Sequence, residues 1–264
     1  MGRIGDKFES LRRKKEKALI VYLTAGDPSL TVTKKLIFAL EEAGVDILEI
    51  GVPFSDPTAD GPVIQAASQR ALKAGITLEG VLEMVKDVRR FSEIPIVLFG
   101  YFNPIFAYGA RKFAGDARRA GIDGVLVVDL PYEEAKELRI HTDKVGIDFI
   151  SLIAPTTGGK RLNKIAAQAS GFLYNISITG ITGTTAPKID NIETAAKKIR
   201  KITKLPIAVG FGISKPQQAR EIAHFADGVV IGSAVMRLID ENKNNPDLVR
   251  IVSNYAHEIK NALR

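Results

Sequence analysis

The sequence predicts an α/β protein that folds as a (β/α)8 barrel, with an extra helix at the N-terminus and another at the C-terminus. Three observations carry this prediction. A unit in which a helix ends at a glycine and an apolar strand follows recurs along the chain. Eight short apolar runs are present, and segments of helical period separate them. The length of 264 residues suits a barrel that forms one domain over residues 1–264.

The recurring unit is clearest at residues 43–49, where Ala-Gly-Val-Asp precedes an apolar run. Similar segments cover residues 120–126, 145–150 and, in shortened form, 226–231. In each, a glycine is suited to end a helix because it adopts positive φ angles without strain. Repeated helix–glycine–strand units favour a parallel sheet with helical crossovers.

The eight predicted strands are short and almost continuously apolar, as is typical of strands covered on both faces. They lie at residues 18–23, 46–50, 95–100, 124–128, 149–153, 171–176, 206–210 and 228–231. The predicted helices lie at residues 30–43, 63–73, 78–90, 110–120, 133–143, 161–168, 191–201, 216–224 and from about 246 onward.

Eight alternating units close most economically into a barrel. The alternative is an open doubly wound sheet, which would carry a glycine-rich nucleotide signature after its first strand. The nearest candidate, residues 210–215, lacks the third glycine and follows the seventh strand. We therefore reject the open sheet.

Composition excludes several functional classes. The chain has no cysteine, so disulfides, thiolate nucleophiles and cysteine metal sites are excluded. No signal peptide precedes residue 17 and no apolar run reaches membrane length, which predicts a cytoplasmic protein without a membrane partner. The net charge is +7, but the basic run at residues 12–17 matches no nucleic-acid motif, and we interpret it as a solvated first helix.

Catalytic residues of such barrels lie where the strands end. Glu49 is an acid in an otherwise apolar strand, so burial is expected to raise its pKa and to suit it to general acid–base catalysis. The alternative is a structural buried ion pair. Asp60 precedes Gly61 and Pro62 at the start of a helix, and catalysis and helix capping are equally open for it.

Glycines after the last two strands indicate a phosphate site, since barrels often bind phosphate there. Gly212 and Gly232 leave backbone N–H groups open and Ser233 adds a hydroxyl, although glycines at strand ends also serve as turns. No predicted strand carries a lysine for a Schiff base. The three histidines fall on or beside helices, so we expect no metal site; they are His141, His224 and His257.

Residues 48–65, LEIGVPFSDPTADGPVIQ, resemble the signature of the tryptophan synthase α subunit family. The resemblance extends over essentially the whole chain, through residues 24–28, 101–104, 129–131, 154–157, 180–183 and 209–213. Thr58 departs from the family, where leucine is expected. This departure leaves the carboxylates in place and concerns only the local packing of the loop.

The resemblance implies a lyase that cleaves indole-3-glycerol phosphate to indole and glyceraldehyde 3-phosphate by a retro-aldol reaction. Glu49 would protonate the indole ring carbon and then take the proton of the glycerol hydroxyl. Asp60 would bind the indole N–H, and Tyr174 would line the site. The phosphate would be held by Gly183, Phe211, Gly212, Gly232 and Ser233. The apolar slot for indole would comprise Tyr22, Phe99, Tyr101, Leu126 and Ile231.

The resemblance also implies a partner. Asp56, Asn103 and Pro131 would face a β subunit in an α2β2 tetramer, and Thr182 would reach Asp60 when the loop at residues 179–188 closes. This chain would need no cofactor, while the β subunit would use pyridoxal phosphate and receive the indole. Three alternatives stay open: a stand-alone lyase, a different phosphate-binding barrel, and a non-catalytic activator of the β subunit.

Overall fold

The computed structural model of the chain describes residues 2–176, 189–210 and 212–264. Within these ranges nine strand segments are present: β1 Ala18–Thr24, β2 Ile47–Gly51, β3 Ile96–Gly100, β4 Gly124–Val127, β5 Asp148–Phe149, β6 Ser151–Ile153, β7 Leu173–Ile176, β8 Ile207–Gly210 and β9 Gly228–Ile231.

Twelve helices accompany them in the same ranges. They are α1 Arg3–Lys14, α2 Leu30–Glu42, α3 Pro62–Lys73, α4 Leu78–Val88, α5 Phe102–Tyr108, α6 Ala110–Ala120, α7 Lys136–Val145, α8 Gly159–Gln168, α9 Ile189–Arg200, α10 Pro216–Ala223, α11 Ser233–Asn242 and α12 Leu248–Asn261. No helix in the described ranges is long and apolar enough to cross a membrane.

The strands form a nearly closed parallel barrel. Their order is β5-β4-β3-β2-β1-β9-β8-β7-β6. The two end segments, β5 and β6, flank Ile150 in one continuous run, so the sheet returns to itself there. The eight predicted strands are therefore confirmed, with the fifth divided in two. The backbone N–H of Phe149 donates to Ser170 Oγ at 2.8 Å, so a side chain takes part in the pairing at the division.

Alternate residues of each strand face the barrel interior or the helical layer. The inward cluster includes Ile20, Ile47, Val97, Leu126, Phe172, Tyr174, Ala208 and Val230. The outward cluster includes Val21, Leu48, Leu98, Val125, Leu173, Val209 and Ile231. This alternation decides which side chains can reach a site inside the barrel.

Helix α1 covers the end of the barrel at which the strands begin. Its basic residues are solvated, as predicted, but Ile4, Phe8 and Leu11 are buried in the inward cluster. The Phe8 and Phe172 ring centroids lie 5.7 Å apart. The interpretation of α1 as a simply solvated helix is thus wrong for one face, because the amphipathic helix covers the open end of the strands.

A buried ion pair ties the last helix to the same end. Lys260 on α12 is 2% exposed, and its Nζ lies 2.8 Å from Asp46 Oδ2 and 3.1 Å from the carbonyl oxygen of Lys17. Asp46 also accepts a hydrogen bond from the backbone N–H of Leu19 at 2.8 Å. These contacts lie at the end of the barrel where the strands begin, opposite the end at which the predicted catalytic residues lie.

Candidate active site

Glu49 lies on β2 with its side chain directed into the barrel, since Leu48 and Ile50 on either side belong to the outward cluster. It is 1% exposed, and its Oε1 has no hydrogen-bond partner among the described residues. Burial raises its pKa from 4.5 to about 8. Desolvation causes this rise, and no cation among the described residues opposes it, so the alternative of a structural ion pair gains no support.

Two tyrosines lie around this carboxyl. Tyr22 pairs with Glu49 across β1 and β2, and Tyr174 lies on β7. Burial raises the pKa of both hydroxyls well above the ordinary range, and the negative charge of Glu49 adds to the rise in each. Both hydroxyls therefore stay protonated at neutral pH.

Glycines make room for these tyrosines. A Cβ on Gly51 would lie 2.1 Å from Tyr22 Oη, and a Cβ on Gly210 would lie 2.2 Å from Tyr174 Oη. These distances are far shorter than a van der Waals contact, so any side chain would displace the rings. The glycines at the ends of β2 and β8 thereby fix the upper layer of the barrel interior.

Asp60 lies in the loop between β2 and α3 and is 4% exposed. Its Oδ2 accepts a hydrogen bond of 3.0 Å from the Tyr101 hydroxyl. Burial raises the pKa of Asp60 from 3.8 to about 6, while this hydrogen bond opposes the rise. The N-cap of α3 is Gly61, so the capping interpretation of Asp60 is wrong. The neighbouring Thr58 is exposed.

The apolar walls between the two acids follow the strand alternation. Phe99 and Leu126 belong to or pack against the inward cluster. Tyr22 is the register partner of inward Glu49, and Tyr101 follows Phe99 by two residues, so alternation places both on the inward side. The Tyr22 and Phe99 rings meet edge to face with centroids 5.1 Å apart. The prediction that Ile231 lines the indole slot is wrong. Ile231 belongs to the outward cluster, and its neighbour Val230 is the inward residue. Sequence reasoning also missed further inward apolar residues, which are Val128, Leu152 and Ile176.

The predicted phosphate residues lie where β8 and β9 end. Gly212 follows β8 with a φ of +77°, in the left-handed region that glycine favours. Gly232 is the N-cap of α11 and Ser233 its first residue, so the free N–H groups of that helix open at the rim. Three predicted residues lie outside the described residues, as does the loop at 179–188: Thr182, Gly183 and Phe211.

The predicted partner residues Asp56, Asn103 and Pro131 are all exposed. They follow β2, β3 and β4, so they belong to the same rim as the site. Phe106, one turn after Asn103 on α5, is 61% exposed, and the sequence pattern had not singled it out.

The three histidines lie in helices or at a helix end, not at the strand ends that form this rim. His141 is in α7, His224 caps α10 and His257 is in α12. Among the residues described, no three histidine, aspartate or glutamate side chains come together as a metal-binding group.

A buried acid poised to ionise near neutral pH, at the catalytic end of the strands, is typical of a (β/α)8-barrel enzyme that works by acid–base catalysis. Residues 8–264 match the family described as tryptophan synthase alpha chain. The tryptophan synthase alpha chain of Desulfatibacillum aliphaticivorans is 51% identical over 264 residues, covering 100% of both chains. The chain belongs to the tryptophan synthase alpha chain family.

Solved structures agree. Tryptophan synthase subunit alpha from Legionella pneumophila is 39% identical with a TM-score of 0.92, covering 100% of this chain and 98% of that one. A chain of the tryptophan synthase complex from Pyrococcus furiosus is 38% identical with a TM-score of 0.84, covering 92% and 98%.

The resemblance of residues 48–65 is thus confirmed, together with its main implications. The protein is a lyase for the cleavage of indole-3-glycerol phosphate, and it works with a β subunit. Alpha chains carry no cofactor of their own, and pyridoxal phosphate belongs to the β subunit.

Proposed function

We propose that Glu49 is the group that moves protons in the cleavage of indole-3-glycerol phosphate. The observation that carries this assignment is a carboxyl buried inside the barrel, whose Oε1 has no partner among the described residues and whose pKa is raised to about 8. At neutral pH such a carboxyl holds a proton and can give it away, which is the requirement for a general acid that later acts as a base.

The proton balance closes on this one residue. Glu49 gives its proton to the indole ring carbon that bears the glycerol chain. The bond between that carbon and the chain then breaks, and its electron pair returns to the ring. The Glu49 carboxylate takes the proton of the glycerol hydroxyl as the aldehyde forms. The carboxyl is protonated again when both products leave.

Asp60 supplies a negative charge that balances the positive charge of the protonated ring. Protonation of the ring carbon places positive charge on the indole nitrogen, and an ionised Asp60 that accepts the N–H hydrogen bond stabilises it. With a pKa of about 6, Asp60 is ionised at pH 7 while Glu49 is protonated. Two carboxyls with separated pKa values divide the acid and charge-stabilising roles between them. Tyr174 lines the site beside Glu49.

The phosphate is assigned to the rim at Gly212, Gly232 and Ser233, with Gly183 and Phe211 added by the family resemblance. The N-terminus of α11 supports this part of the proposal, because free N–H groups and the helix dipole favour an anion there. The resemblance likewise assigns Thr182 to a lid over Asp60.

The assembly proposed is an α2β2 tetramer in the cytoplasm, in which residues 1–264 form a single barrel domain. The exposed rim residues Asp56, Asn103 and Pro131 would meet the β subunit. Indole released between Glu49 and Asp60 would then leave through the rim that the partner covers.

Purified chain incubated with indole-3-glycerol phosphate tests this function. We expect indole and glyceraldehyde 3-phosphate in equal amounts, with slow release by the chain alone and faster release when a β subunit is added. Full turnover without the partner would indicate a stand-alone lyase. No turnover in either condition, with β activity still raised, would indicate a non-catalytic activator.

A further inference from the structure

The hydroxyl of Tyr101 is fixed by two hydrogen bonds. The residue stands between the end of β3 and the start of α5 and is 4% exposed. Its Oη lies 3.0 Å from the backbone nitrogen of Ala59 and 3.0 Å from Asp60 Oδ2. A backbone N–H can only donate, so the hydroxyl accepts from Ala59 and must direct its single proton to Asp60.

The ring of Tyr101 holds the other end of the same loop. Its centroid lies 5.2 Å from that of Phe54, with the planes tilted by 33°. Inside the loop, Asp60 N–H donates to the Pro57 carbonyl oxygen at 3.0 Å. The Tyr101 side chain thus contacts both the beginning and the end of the segment that carries Asp60.

The charges around the Tyr101–Asp60 hydrogen bond show why the proton that Tyr101 donates matters for the ionisation of Asp60. Burial raises the pKa of the Tyr101 hydroxyl, and the negative charge of Asp60 raises it further, so the hydroxyl remains a donor. Within the described ranges, the other titratable groups acting on this pair are Tyr22 and Asp129, and neither is a cation. Among the described residues, Tyr101 is the side chain that stabilises the ionised form of Asp60.

We propose that Tyr101 is a positioning residue that aims Asp60 and keeps it ionised, in addition to forming a wall of the indole slot. This inference rests on the proposed role of Asp60 in stabilising positive charge on the indole ring. It adds that the residue directly after β3 contributes to the reaction through its hydroxyl and so links the site to the rim that begins at Phe102. That link continues, since the backbone N–H of Phe102 donates to Asp129 Oδ1 at 2.8 Å.

The variant Tyr101→Phe tests the inference because it removes the hydroxyl and keeps the ring on Phe54. We expect kcat for indole release to fall about tenfold or more, as for loss of a hydrogen bond to a charged group, with a smaller change in KM. The acidic limb of the kcat–pH profile should move to higher pH, because Asp60 would take up a proton more readily.

Tyr108→Phe is the matched control. Its hydroxyl donates to Asp116 Oδ2 at 2.8 Å, which is another tyrosine–aspartate pair, but outside the site. This control should keep both kcat and the pH profile. An unchanged kcat and pH profile in folded Tyr101→Phe, as shown by its thermal melt, would overturn the inference.

Asp60→Asn and the double variant distinguish this failure from failure of the proposed function. If Tyr101 acts through Asp60, adding Tyr101→Phe to Asp60→Asn should lower kcat little further. Independent, multiplying losses would overturn the positioning role and leave the role of Asp60 intact. Near-normal kcat in Asp60→Asn alone would overturn the role of Asp60 and the inference with it.

Discussion

Glu49→Gln should abolish indole release and, at the same time, make the protein more stable than the wild type at alkaline pH. The two effects have one cause, which is the burial of an ionisable carboxyl whose Oε1 has no partner in the part of the chain that the structure describes. Glutamine matches the size and hydrogen-bonding needs of the protonated acid but cannot ionise. It therefore removes the proton that the reaction needs and also the charge that the fold tolerates badly.

The magnitude follows from the raised pKa. Between 4.5 and about 8 the folded state holds a proton that the unfolded state has lost, so the free energy of unfolding falls as pH rises through this window. At about 1.4 kcal/mol per pKa unit, the loss approaches 5 kcal/mol above pH 8. Wild type and variant should have equal free energies of unfolding near pH 4.5, and the variant should be the more stable of the two above pH 8.

Urea unfolding at several pH values measures the predicted change in stability, and turnover assays on the same proteins measure the predicted loss of activity. Turnover should fall by at least the roughly 10²–10⁴-fold typical of a lost general acid–base group. Glu83→Gln on the exposed surface of α4 is the control and should change neither quantity. Parallel stability curves for wild type and Glu49→Gln would refute the reasoning about burial, and retained turnover would refute the catalytic assignment.

Three further changes test other parts of the account. Asp60→Asn should cost about 100-fold in kcat and remove the loss of wild-type activity below about pH 6, where Asp60 is protonated; a persistent acidic limb would contradict this. Gly51→Ala should destabilise the fold by about 1–3 kcal/mol in thermal melts, because the methyl group meets Tyr22 Oη, and Tyr22→Phe should recover part of that loss. Lys260→Met should cost about 3 kcal/mol by leaving the buried carboxylate of Asp46 without its cation, with kcat unchanged, since this pair lies at the end of the barrel where the strands begin; a kcat loss would show coupling to the site.

The sequence predicted the barrel because its pattern repeats, but it left out local features that the pattern does not show. Helix α5 was missed because it is short and carries Pro104 in its first turn. Helix α11 was missed because it begins directly after β9, with Gly232 alone between them. At the division of the fifth strand the backbone N–H of Phe149 donates to Ser170 Oγ, a side-chain contact that the hydrophobic pattern does not reveal.

The site shows the same limit at individual residues. Glu49 was recognisable from the sequence because it is the one acidic residue in an otherwise apolar strand. In β9 every side chain is buried, so apolarity alone cannot tell inward Val230 from outward Ile231. The contact between Tyr101 and Asp60 joins residues 41 positions apart, and only the folded loop brings them together.

A single-turnover experiment with enzyme in excess over indole-3-glycerol phosphate tests the central claim most directly, because it isolates the cleavage step. Wild-type chain should release one equivalent of indole and one of glyceraldehyde 3-phosphate. Glu49→Gln should bind the substrate and release neither. Cleavage by Glu49→Gln at a rate near that of the wild type would contradict the claim that this buried carboxyl carries the proton.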